Sequence, residues 1–252
     1  MKVLDSNDFY EISIDQSVAV IDIKERVFDL ITDVDLSGKL LEFLENIDRN
    51  QEIKMLLFFN QPESFDDEQY DRFLYRIMDK NTSRDDCEPP CFCERNIRFR
   101  EINILNSLIK RIARLQKLVV SGLQGTVVTP FVGAAMVADF RYASENAVFS
   151  MIHNKYGLHP SGALPYFLAH FVNHSKALEL QMRENILAKE AVELGLINKL
   201  LPQQNFKKNL MKEIEPYTKL KYCTIRDTKR LTNFNRKELN DYFDFEAGLL
   251  NL

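Results

Sequence analysis

The apolar residues of this chain follow two spacings. VAVIDI (18–23) is β-branched and turns to alternation near its end, as a half-buried strand does, and KMLLFF (54–59) is a continuous apolar run that predicts a buried strand. Between them the spacing becomes helical. Leu36, Leu40, Leu41, Phe43, Leu44 and Ile47 form one wide face behind Asp35, which is placed to cap the helix. Asp66 to Met78 predicts a second helix, with Tyr70, Phe73, Leu74 and Ile77 inward. Arg98 to Leu115 predicts a third, with Ile102, Leu105, Leu108, Ile109 and Ile112 inward, feeding the strand LVVSGLQG that ends at Gly122 or Gly125. Next come a helix over Phe131–Ala138, a strand near Phe140–Ala143, a helix over Pro165–Phe171, and AKEAVELG closed by Gly195. Strands interleaved with helices place the chain in the α/β class. Linkers are short except at 79–97, where charge, prolines and cysteines read as a surface excursion.

Composition adds bounds. With 252 residues, 45% hydrophobic and 28% charged, the chain can bury a large core in one α/β domain with a helical extension. A net charge of −4 gives no whole-chain case for nucleic acid or an anionic membrane, so both are expected to be absent as partners. The N-terminal MKVLDSNDFYEISID carries acids where a secretory signal needs an apolar run, and no stretch reaches the roughly 18–20 apolar residues of a membrane span. A cytoplasmic protein is expected.

Three cysteines, Cys87, Cys91 and Cys93, sit in DDCEPPCFCER with C-x3-C-x-C spacing, which lacks the paired knuckles of a zinc site. Free thiols on a loop are expected, with no metal. His170 and His174 are spaced i, i+4 in PYFLAHFVNHSKAL but without the glutamate of H-E-x-x-H, so helix-surface polarity is the expected role. His159 and Ser161 in GLHPSG have neither an acid partner nor a nucleophile elbow.

The stretch GTVVTPFVGAAMVADFR (125–141), followed by ASENAVFS and later by AKEAVELGLINKLLP (188–202), resembles the crotonase (enoyl-CoA hydratase/isomerase) superfamily. Members commonly read G-x-A-x-G-G-G-x-E-L-A-x-A-x-D-F-R, and the fourteen-residue step from first Gly to Asp is the step from Gly125 to Asp139. FYEISIDQSVAVIDI (9–23) looks like the family's opening strands, and the C-terminal helices match as well, so the resemblance runs nearly end to end. It implies a crotonase-like spiral of ββα turns over residues 1–202, with a C-terminal helical region at 203–252, where Pro202 and the polar QQN mark the division.

The resemblance also implies which positions would carry chemistry. The family's three-glycine run falls on Thr129, Pro130 and Phe131, and its first catalytic glutamate on Gly133. In relatives, two backbone N–H groups hold a thioester carbonyl so that negative charge developing on its oxygen is stabilised. One donor would be the backbone of Pro130, which has no N–H. Losing one such donor costs about 2.7–4 kcal/mol of transition-state stabilisation. The other donor belongs to a loop reading like S-A-G-A-D, where this chain has NQPESFDDEQYDRF. The second glutamate falls on His153, with Gly157 and Pro160 keeping the spacing. An imidazole can move a proton alone, or His153 can be a structural residue at the pocket edge. Asp139 and Arg141 are expected to hold strand and helix together.

Charge is uneven: residues 60–94 carry ten acids against four bases, and residues 207–237 ten bases against three acids. Lys229 and Arg230 are candidates for coenzyme A phosphates by position, against a solvated helix face as the plainer reading. Two functions follow. One is a crotonase-fold protein without the glutamate pair and oxyanion-hole glycines, non-catalytic or regulatory, assembled as a homotrimer or hexamer, with an acyl-CoA ligand possible and no bound cofactor. The other is a divergent family enzyme acting on an acyl-CoA thioester with His153 as acid/base. An RNA-binding role rests only on the basic C-terminal stretch.

Overall fold

A computed structural model describes residues 2–78 and 90–249. The opening strands β1 (Lys2–Ser6), β2 (Tyr10–Asp15) and β3 (Val18–Ile23) pair antiparallel. From β3 the sheet continues in parallel through β4 (Met55–Asn60), β5 (Leu118–Leu123), β7 (Phe140–Ser144) and β10 (Lys199–Leu201). Among the described residues this makes a seven-stranded sheet in the order β1-β2-β3-β4-β5-β7-β10. A smaller three-stranded sheet holds β6 (Thr126–Val128), β8 (Val148–Ser150) and β9 (Asn185–Leu187). The chain places β5 in the large sheet, β6 in the small one, then a helix; β7 and β8 repeat the step. These are the ββα turns expected of the spiral.

The continuous apolar run of β4 has a cause in the packing. Met55, Leu57 and Phe59 face one cluster, shared with α9 (Phe206–Thr218), while Leu56 faces the other, shared with α2 (Val34–Arg49) and α4 (Arg95–Arg114). A strand covered on both faces has no polar alternation to show. The helix α9 contributes Phe206, Leu210 and Ile214 to the sheet's core, so C-terminal residues complete the packing of N-terminal strands.

Several element boundaries differ from those expected. The helix α2 is capped by Asp33, whose carboxylate accepts from the N–H groups of Asp35 and Leu36 at 2.9 Å, rather than by Asp35. The third helix starts at Arg95, which brings Arg98 and Glu101 onto its buried face with Ile102, Leu105 and Ile109. The helix α5 runs Thr129–Met136, two residues ahead of expectation, because Pro130 fits the first turn of a helix. The helix expected over Pro165–Phe171 is α6 (Leu164–Phe171); it ends at an extended Val172, and Asn173 caps a separate α7 (His174–Met182) by accepting from Lys176 N–H, so His170 and His174 do not share one helix. Gly195 closes α8 (Ala188–Glu193) as expected, with Leu196 N–H reaching back to the Ala191 carbonyl.

Of the expected loop thiols, Cys87 lies outside the described residues. Cys91 and Cys93 are exposed, and Cys93 Sγ donates to the Ile77 carbonyl at 3.1 Å. Among the described residues no helix is long and apolar enough to cross a membrane, and no cluster of three metal-ligating side chains forms.

Candidate functional site

Helix α5 follows β6 directly, so its N-terminus stands where two strands and the loop after β4 meet. Val128 N–H donates to the Phe65 carbonyl at 2.9 Å, tying that loop to the helix start. Asn60 and Gln124 fasten it again: Asn60 Nδ2 donates to the Gln124 carbonyl at 2.9 Å and Gln124 N–H returns to Asn60 Oδ1 at 3.0 Å. The rings of Phe65 and Phe131 stack at 4.2 Å between centroids, 14° from parallel. The two segments expected to hold a carbonyl between their N–H groups are thus joined by a hydrogen bond and a stacked pair of rings.

Pro130 occupies the second position of α5 and is buried. A helix leaves its first N–H groups without internal partners, so proline, which has no N–H, costs the fold little there. Gly133 answers to packing. A Cβ on it would lie 2.3 Å from the Gly162 carbonyl oxygen and 2.8 Å from Leu164 N. The reverse contact is as close, since a Cβ on Gly162, at φ +70°, would meet the Pro130 carbonyl oxygen at 2.2 Å. Backbone therefore fills the space into which a side chain at 133 would project, and this space holds no glutamate.

Thr129 and His153 come together at the first turn of α5. Thr129 Oγ1 lies 2.7 Å from His153 Nδ1 and also donates to the Ser150 carbonyl at 3.1 Å; in that arrangement Nδ1 carries the imidazole proton. Both residues are buried, and His153 Nε2 has no partner among the described residues. Burial, aided by nearby His159, lowers the His153 pKa to about 4 against the opposing effect of the Gln181 backbone. The imidazole is neutral at physiological pH. His159 is lowered too, by burial first, and its Nδ1 lies 3.3 Å from the Pro160 carbonyl. Ser161 is buried.

The remaining candidates lie apart. Asp139 accepts from Val119 N–H and from Lys229 Nζ, each at 2.7 Å, while Lys229 also donates to the Lys117 carbonyl at 2.7 Å. Lys229 is only 8% exposed, with its ammonium held by Asp139 and the Lys117 carbonyl; Arg230, the next residue, is exposed. Arg141 donates to the Leu196 and Ala138 carbonyls at 2.6 Å and sits over the Phe171 ring. Asp139 and Arg141 hold elements together.

Beside the stacked phenylalanines lies an apolar cavity of about 100 Å³ between α2, α4 and α5, walled by Leu30, Leu44, Leu56, Leu105 and Ile109 together with Phe65 and Phe131.

A second group of buried polar side chains, centred on α4, carries no motif in the sequence. Arg98 Nη1 donates to Glu101 Oε2 at 2.5 Å with both side chains at most 2% exposed. Glu101 Oε1 has no partner among the described residues, and burial raises the Glu101 pKa despite Arg98. Across from α4, helix α11 (Leu239–Leu249) brings Glu246, 3% exposed. Asn106 Nδ2 lies 3.5 Å from its Oε2 and Tyr242 hydroxyl 3.2 Å from its Oε1. Burial pushes Glu246 up to about 7, against Tyr242, Asn106, the Ala163 backbone and Arg98. The available signal was spacing: Arg98, Glu101 and Asn106 share the apolar stripe of α4.

Comparison with known proteins fits this architecture. The family model described as enoyl-CoA hydratase/isomerase matches residues 100–251. The chain belongs to the enoyl-CoA hydratase/isomerase family, and its fold is that of the crotonase superfamily. A crystal structure of an enoyl-CoA hydratase from Bacillus halodurans superposes with a TM-score of 0.75 at 18% identity, covering 95% of this chain and 92% of that one. An enoyl-CoA hydratase/isomerase from Cupriavidus metallidurans CH34 gives 0.71 at 20% identity, covering 97% and 88%. At these identities the likeness is one of fold. By sequence, the chain is 32% identical over 130 residues to an uncharacterized protein, B0272.4, of Caenorhabditis elegans, covering 46% of this chain and 51% of that one. It is 25% identical over 136 residues to enoyl-CoA delta isomerase 2 of Rattus norvegicus, covering 54% and 35%. The chain thus spans about half and about a third of these relatives' lengths.

Proposed function

We propose that this chain is a non-catalytic or regulatory, oligomeric member of its family. The observation that carries the reading is the Gly162–Leu164 backbone packed against Gly133, which leaves no room for the carboxylate the family's hydration chemistry needs. The proline at 130 agrees with it. The apolar cavity beside Phe65 and Phe131 supports an acyl thioester as the ligand class, since its wall offers contact to hydrocarbon and nothing to react with it. Assembly as a homotrimer or hexamer in the cytoplasm completes the reading; Met182, Leu231, Phe234 and Phe245, each more than 60% exposed, supply apolar surface for it.

Calorimetric titration with coenzyme A and acetyl-CoA, paired with turnover assays on an acyl-CoA panel, tests this. Binding without turnover is expected. Turnover abolished by a substitution at Thr129 or Phe131 would overturn it. Native mass spectrometry reads the assembly, and a monomer at micromolar concentration removes that element.

A second reading, a divergent enzyme with His153 as acid/base, is favoured by the unpartnered His153 Nε2, which can accept a proton. Any turnover found should then fall at least a hundredfold in His153→Ala; unchanged turnover excludes the role.

A further inference from the structure

Helix α11 and the residue before it set two acids and two rings on one face, since Glu238, Asp241, Tyr242 and Phe245 fall at i, i+3, i+4 and i+7. That face meets α6 and α7 across a solvent-open cavity of about 610 Å³, lined from the other side by Ala169, His170, Ala177 and Leu178. It shares no lining residue with the apolar cavity beside Phe65 and Phe131. Its rings are graded from inside to outside. Tyr166, only 7% exposed, has its centroid 4.3 Å from the His170 ring and 5.4 Å from the Tyr242 ring, while Phe245 is 67% exposed.

Charge decides what such a cavity takes. The described residues that line it include the two exposed carboxylates of Glu238 and Asp241 and no lysine or arginine. His170 Nδ1 lies 2.7 Å from the Tyr166 carbonyl, which only accepts, so in the neutral ring Nε2 is left as a further acceptor. Carboxylates, an acceptor nitrogen and aromatic faces all attract a cation and repel an anion such as a phosphate. We propose that this cavity binds an organic ammonium ion with an apolar body: the cation lies over the Tyr242 and Phe245 rings beside Asp241 and Glu238, and the body lies against Ala169, Ala177 and Leu178. The site is independent of the ligand reading at α5. Phe245 also belongs to the apolar surface proposed for assembly, so binding is measured on the full chain in its native assembly; a cavity closed by assembly gives no binding and overturns the site.

Calorimetric titration with 2-phenylethylammonium, 2-phenylethanol and 3-phenylpropanoate presents one aromatic body with a positive, a neutral and a negative end. At about pH 8, where the alkylamine is protonated, the ammonium should bind about tenfold tighter than the alcohol, and the carboxylate weakest. The double variant Glu238→Gln/Asp241→Asn, at exposed positions, should weaken the ammonium about fivefold and leave the alcohol unchanged. Phe245→Ala should weaken the ammonium about threefold. Equal affinity for ammonium and alcohol would overturn the proposal, because it describes an apolar groove without selection for charge. So would a carboxylate that binds as tightly, no ammonium binding up to about 20 mM, or a preference for the cation that survives the double variant and so belongs elsewhere on the molecule.

Discussion

Two buried corners of this molecule hold titratable groups, and they have solved burial in opposite ways. Around Thr129, Gly133 and His153 the groups are neutral, backbone packs on backbone, and the histidine is held uncharged by its surroundings. Around Arg98, Glu101 and Glu246 ionisable groups are kept inside, Arg98 and Glu101 paired at short range and Glu246 with its pKa raised to about 7 by burial. The family places its chemistry at the first corner, yet in this chain the costly polar groups are at the second. Burying an ion pair seldom stabilises a fold compared with apolar packing, but removing one partner of a buried pair is costly, because it leaves the other charge uncompensated.

The sharpest test of that contrast is Arg98→Met, which leaves Glu101 buried without its partner and should cost about 3–5 kcal/mol in urea denaturation. The double variant Arg98→Met/Glu101→Leu should recover most of that loss. A double variant no better than the single one would mean that the two side chains are not energetically a pair.

At the first corner, Gly133→Ala should cost about 3 kcal/mol, since its Cβ meets backbone that cannot swing away as a side chain would. Gly133→Glu should fold worse still and gain no hydratase activity. A stable, well-folded Gly133→Glu would remove the distinction between a position that lacks a carboxylate and one closed to it.

The pH dependence should differ in sign between the corners. Glu246 has a pKa raised to about 7, so its contribution is full below the ordinary value near 4.5 and is lost as pH rises through about 7, by at most about 3 kcal/mol. His153 has a pKa lowered to about 4, so its contribution is full above 6.5 and is lost as pH falls through about 4, by a similar or smaller amount. Thermal denaturation should show Glu246→Gln gaining stability relative to the native protein at pH 8 and gaining nothing at pH 4. His153→Gln should do the reverse. Variants whose curves shift uniformly with pH would show that neither pKa differs between the folded and unfolded states.

Much of this was legible residue by residue. Gly125, Asp139 and the motif at 188–202 were enough to place the chain in its superfamily, and Pro130 announced a missing donor because proline lacks an N–H wherever it stands. Lys229 illustrates what composition conceals. A basic stretch of sequence reads as a surface for phosphates, but one turn of α10 (Tyr222–Thr232) carries its lysine inward to Asp139. Glu246 was equally hidden among the acids of FDFEAG, since nothing local distinguishes a solvated glutamate from one buried beside Asn106 and Tyr242.

Fold class and the buried strand at 54–59 were legible in the residues alone, because periodicity and residue identity are local quantities. Contacts between distant elements fill the space beside Gly133, lower the His153 pKa by burial, and bury Arg98, Glu101 and Glu246. Those facts depend on contacts such as Asn106 to Glu246, 140 residues apart, and desolvation acts through whatever surrounds a group in space.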